Sequence, residues 1–190
     1  MKIKLNDLSQ RAYEIAKANG FHDKPTPVIV DLMMIITELS EMVQADRKNQ
    51  RSVGKGSVIV KIWKDNQDVS VNGLYHDLLK GTVEEELADV VIRFLDFAGS
   101  RNIPLEIDTE RKYVGNIDFT AFTVAEWAMP IVMAISDSVA GCYTTTSEFI
   151  ESMIEACFKY AEAYQIPLLD IVGIKMKYNE TRGHLHGCKY

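Results

Sequence analysis

Four carboxylates stand in pairs three residues apart: Glu38 and Glu41 in "TELSEM", Glu86 and Asp89 in "EELADV". A spacing of three puts both members of a pair on one face of a helix. Glu38 and Glu41 share their stripe with Met34 and Ala45, inside the largely apolar run "LMMIITELSEMVQAD" at 32–46. An ionised carboxylate there is costly unless something pairs it, and a divalent cation is one efficient partner. Two antiparallel helices that each carry such a pair can converge four acidic side chains on one point, the oxygen-rich shell that Mg²⁺ takes. The same residues admit a plainer reading. Glu86, Asp89, Arg93 and Asp96 also form a continuous polar line, as on a solvated face closed by a pair between Asp89 and Arg93.

Helices must position these groups, and the helical period dominates the chain. Leu5, Leu8, Ala12, Ile15 and Ala16 mark one apolar face over 5–19, with Gly20 as a stop. "KPTP" at 24–27 leads into a second helix over 28–48, and Thr82 followed by Glu85 predicts a capping box that opens a third over 83–100, ending near Gly99 and Pro104. Further helices are expected at 105–114, 120–140, 145–164 and 167–181. The segment 50–81, with Gly54, Gly56 and the β-prone "SVIVKIW", reads as a short hairpin or loop excursion. The expected class is all-α, an antiparallel helix bundle, and 190 residues at 47% hydrophobic content suffice for one domain over 1–190.

An internal repeat is legible. "NIPLEIDTERKYVGN" at 102–116 aligns with "QIPLLDIVGIKMKYN" at 165–179, which sets Lys112 and Asn116 against Lys175 and Asn179. "MIITELSEMV" at 34–43 likewise resembles "PIVMAISDSV" at 130–139. Two related halves, about 1–116 and 117–190, would make the chain a pseudo-dimer. In that alignment Glu38, Glu41, Glu86 and Asp89 correspond to Ala134, Asp137, Phe149 and Ser152, so the second half loses three of the four carboxylates.

The formal charge of -6, with no basic run, disfavours a nucleic acid polymer as partner. Three cysteines without metal or redox spacing suit a reducing compartment. The apolar runs at 28–36 and 127–135 are too short to span a bilayer, so no membrane is expected and the location is read as cytoplasmic. Met33, Met34, Met129 and Met133 read as core filling, as does Trp127. His184 and His186 read as tail residues, and Trp63 is a candidate base contact.

The motif "ELSE" followed by "ELAD", in a small acidic all-α chain that ends "KMKYNETRGHLHGCKY", resembles the MazG-like members of the all-α NTP pyrophosphohydrolase superfamily. The resemblance covers the helices at 5–48 and 82–116 and the C-terminal helix and tail. It implies hydrolysis of a nucleoside triphosphate between the α and β phosphorus, giving a monophosphate and pyrophosphate, in nucleotide-pool housekeeping. Mg²⁺, or Mn²⁺ in its place, would be held by Glu38, Glu41, Glu86 and Asp89, with Glu38 and Glu41 the catalytic candidates. Lys175, Asn179 and Arg182 would clamp phosphate or sugar, Lys112 and Asn116 being the alternative pair. A homodimer or higher homo-oligomer is expected. The competing expectation is a non-catalytic helical regulatory or oligomerisation module that keeps the fold, with the carboxylates paired to Arg or Lys.

Overall fold

The computed structural model of the chain describes residues 2–52, 60–61, 71–108, 119–141 and 146–187. Helices α1 (Asn6–Ala18), α2 (Val28–Arg47), α3 (Val71–Leu78), α4 (Val83–Ser100), α5 (Val124–Ala140), α6 (Ser147–Ala163) and α7 (Leu168–Asn179) make the fold all-α. A two-stranded antiparallel pair, β1 (Lys2–Lys4) and β2 (Glu106–Asp108), is its minor companion.

Helix α4 is the axis of the bundle and packs against α1, α2, α6 and α7; α5 lies on α2 and α3 on α7. Thr82 caps α4, its hydroxyl accepting from the Glu85 backbone N–H at 3.3 Å, and Glu84, Glu85 and Glu86 place negative charge at the positive end of the helix. Leu87, Phe94 and Leu95 are wholly buried, each side chain contributing about 1.5–3 kcal/mol. Gly99 permits close approach of α1, since a Cβ there would sit 2.5 Å from the Ser9 carbonyl oxygen and 2.9 Å from Tyr13 Cβ.

Helices α2, α4 and α6 stop in one way. Asn49, Asn102 and Gln165 adopt φ of 53°, 54° and 54°. The next N–H then returns to an earlier carbonyl: Gln50 to Ala45 at 2.9 Å, Ile103 to Ala98 at 2.9 Å and Ile166 to Ala161 at 2.8 Å. The α4 and α6 terminators sit at matching positions of the 102–116 and 165–179 alignment.

Past that point the two stretches part. The period of "NIPLEIDTERKYVGN" predicts a helix over 105–114, but Glu106–Asp108 is strand β2, with Lys2, Ile3 and Lys4 opposite Asp108, Ile107 and Glu106. "KIK" and "EID" alternate charged and apolar positions with period two and oppose unlike charges in register, a match that involves a partner a hundred residues away. Of the predicted 50–81 excursion, Val71–Leu78 is helical and most of the rest lies outside the described residues.

Trp127 is buried with its ring 4.7 Å from that of Tyr160, as core packing requires. The methionines differ from expectation. Met33, Met129 and Met133 are more than half exposed, joined by Ile29 on α2. They cannot fill a core because α2 and α5 pack on each other through other positions, leaving these side chains on the outside. Among the described residues no helix is long and apolar enough to cross a membrane.

Candidate functional site

Helices α2 and α4 run antiparallel, as the Asp31–Arg101 and Glu38–Arg93 ion pairs show, at 2.5 Å and 2.8 Å. That pairing brings the two carboxylate motifs together. Oxygens of Glu38, Glu41 and Glu86 lie within 4.8 Å of one another, and so do those of Glu85, Glu86 and Asp89. All of these line one cavity of about 470 Å³. Lys175 and Asn179 of α7 and Arg182 just beyond it line the same cavity, so the clamp candidates of the C-terminal motif face the carboxylates. Lys112, Asn116 and Trp63 lie outside the described residues.

The carboxylates divide into two kinds. Glu38 accepts from Arg93, and Asp89 is 2.7 Å from the Lys175 ammonium. Glu41 and Glu86 have no hydrogen bond or ion pair among the described residues, although Glu86 is buried. The sequence allowed a surface pair between Asp89 and Arg93; the structure sends Arg93 across to α2 instead, because the polar line of α4 faces a cavity and not bulk water.

Lys175 is placed differently from the expected phosphate clamp. It is buried, and its three N–H donors are taken by Tyr75, at 2.6 Å, by Glu85 and by Asp89. Burial would lower its pKa, but Asp89, Glu85 and the Tyr75 hydroxyl hold it well above the ordinary value, so it stays charged. Glu85 was read as the return arm of a capping box. Its carboxylate turns instead to Lys175, to the Tyr75 hydroxyl and to the Gly81 N–H at 2.6 Å. Burial pushes Glu85 up, and Lys175 and Tyr75 bring it below the usual carboxylate value. Lys175 thus braces α4 against α7 and fixes Asp89 from behind.

Three further lining groups escaped the sequence reading. Tyr75 stacks on Tyr178 with centroids 3.9 Å apart. Lys80 is exposed at the rim, and neither it nor Arg182 has an ion pair among the described residues; the Arg182 guanidinium lies 5.8 Å from the Tyr178 ring. Asp96 borders the cavity and accepts from His22 at 2.7 Å, an interaction that raises the His22 pKa. No local pattern could have marked Tyr75 or Lys80, since both reach the site from the segment whose period is least regular. Asn179 turns an unpartnered, buried Oδ1 toward this region while its carbonyl accepts from Asn19 at 3.0 Å.

The residues present fit a small divalent cation. Ligands trans across Mg²⁺ stand about 4.2 Å apart, twice a bond of about 2.1 Å, so oxygens already within 4.8 Å need only a small side-chain adjustment. The electrostatics ask for one as well. Glu41 is raised by partial burial and by Glu38 and Glu85; Glu86 is pushed up to about 9 by burial and then by Glu85, Asp89, Glu41 and Glu38. Burial and the charges of Glu38 and Glu85 hold Asp89 above its usual range against the pull of Lys175.

A pH dependence follows. An acid whose folded pKa exceeds its unfolded value binds its proton more tightly when folded, so the stability it confers is complete below the unfolded value and is lost as pH rises through the folded one. In EDTA the melting temperature should therefore fall as pH climbs from about 5 to 9. With saturating Mg²⁺ the slope should flatten, and calorimetry should record proton release on binding that grows toward neutral pH. A melting temperature that is level across this range in EDTA would contradict the crowded, protonated cluster.

Neither a family model, nor a curated protein, nor a solved structure matches this chain.

Proposed function

We propose that the chain is a Mg²⁺-dependent nucleoside triphosphate pyrophosphohydrolase. The observation that carries this reading is the cavity itself: a crowded, partly unpaired carboxylate cluster on α2 and α4 faces the unpaired cations Lys80 and Arg182 and an apolar wall of Ile15, Ala16, Met34 and Ile92. Metal, polyphosphate and base are the three parts such a cavity would serve.

Glu38, Glu41, Glu86 and Asp89 would hold the ion. Bound there, Mg²⁺ would neutralise charge developing on the phosphate oxygens. The chain supplies the remainder. Arg182 is free to form two parallel N–H contacts to phosphate oxygens, and Lys80 adds a mobile positive charge at the rim. Arg93 orients Glu38, and Lys175 with Tyr75 orients Asp89 through the buried network. Glu41, exposed and unpaired, is placed to take the proton of a water whose oxygen attacks phosphorus, while the bond between the α and β groups breaks and pyrophosphate leaves with the electron pair. Exposed Ile29 and Met33 on α2, with Met129 and Met133 on α5, support association with a second copy.

One observation favours the non-catalytic helical module: Glu38 and Asp89 already have cationic partners, Arg93 and Lys175. Binding separates the two readings. A non-hydrolysable α,β-methylene deoxynucleoside triphosphate should raise the melting temperature in Mg²⁺ and not in EDTA. No shift in Mg²⁺ would favour the module.

A further inference from the structure

Asp96 stands two turns beyond Asp89 on α4, about 10.5 Å along the axis and within about 20° of the same face. Its Oδ1 accepts from His22 Nε2 at 2.7 Å, while Oδ2 has no partner among the described residues and the side chain borders the cavity. The cavity wall also includes Phe21, Ile15, Ala16, Met34 and Ile92, apolar groups from α1, its following turn, α2 and α4. A carboxylate offers acceptors only, and each oxygen can take more than one hydrogen bond. An apolar slot bordered by such a group suits a flat heterocycle that presents adjacent N–H donors.

The nucleobases differ on this point. Guanine sets N1–H and the 2-amino group side by side. Uracil and thymine flank a single N–H with two carbonyl oxygens, which a carboxylate repels. The α-phosphate and the Watson–Crick edge of a base lie at opposite ends of a nucleotide, as the metal-ligand cluster and Asp96 lie at opposite ends of this stretch of α4.

We infer that Asp96, oriented by His22, reads the base edge of the bound nucleotide and selects guanine. The inference rests on the nucleotide reading of the cavity given above.

Calorimetric titration of the full chain with dGMP, dIMP and dUMP in Mg²⁺ tests it without requiring turnover. The parent protein should bind dGMP about ten- to a hundredfold more tightly than dUMP, the discrimination expected of one bidentate base contact. dIMP, which lacks the 2-amino group, should bind more weakly than dGMP. Asp96→Asn should erase the dGMP advantage and leave dUMP affinity within about threefold, a change of ratio that a merely structural role would not produce. Equal affinities in the parent, a preference that survives Asp96→Asn, or no binding of any of the three would overturn the inference. If the variant does not fold, as judged by circular dichroism, the dGMP to dIMP ratio in the parent decides. Guanine preference in binding with no hydrolysis of any triphosphate would sink the hydrolase reading alone; hydrolysis that ignores the base, with equal monophosphate affinities, would sink this one alone.

Discussion

Replacing Lys175 by methionine is expected to lower the free energy of unfolding by about 3–5 kcal/mol, the cost of leaving buried charges without their partner. The side chain is almost wholly buried, and its ammonium is shared by Glu85, Asp89 and Tyr75, so its removal strands two carboxylates and a hydroxyl at once. Urea unfolding at neutral pH measures the loss. The deficit should shrink at lower pH, where Glu85 and Asp89 take up protons, and in Mg²⁺, where a cation can replace the missing one. A solvent-facing phosphate clamp would behave differently: its loss would weaken substrate binding and leave stability nearly unchanged. A variant as stable as its parent would therefore contradict the buried brace.

Glu86→Gln is expected to have two effects of opposite sign. The metal-free protein should gain stability at neutral pH, on the order of 1–3 kcal/mol, because folding no longer requires an ionised side chain to take up a proton in a crowded, buried position. Hydrolysis of triphosphate should meanwhile fall by about a thousandfold or more, since several kcal/mol of charge stabilisation depend on a correctly held cation. Melting curves in EDTA and a product assay in Mg²⁺ report the two effects separately. Such a trade is what a site built for a ligand produces, in contrast to a surface carboxylate, whose substitution moves stability by little. A destabilised metal-free variant, or one with undiminished turnover, would remove Glu86 from the proposed site.

Much of this was legible in the sequence because it is local. The helical period located α1, α2, α4, α6 and α7 to within a few residues, and the three-residue spacing of Glu38 with Glu41 and of Glu86 with Asp89 placed each pair on one face. Thr82 was readable as a cap from its own neighbourhood. What escaped depends on partners distant in the chain. Strand β2 exists through β1, about a hundred residues away, and local helical periodicity pointed the other way. Glu85 looked like half of a capping box until α7 brought Lys175 against it. Arg93 could be given a partner one turn back on its own helix, yet packing of α2 on α4 offered Glu38 in a less solvated place. The methionines of α2 and α5 carried the right apolarity for a core, but apolarity alone does not say which face of a helix is covered.

The central claim is that the carboxylate cluster, with a divalent cation, directs water to the bond between the α and β phosphorus of a nucleoside triphosphate. A panel of canonical and modified triphosphates, incubated in Mg²⁺ and in EDTA with monophosphate, diphosphate, pyrophosphate and orthophosphate resolved, tests it directly. The account predicts monophosphate and pyrophosphate in equal amounts from at least one triphosphate in Mg²⁺ and none in EDTA. Release of orthophosphate with diphosphate, turnover that persists in EDTA, or no product from any triphosphate would contradict it.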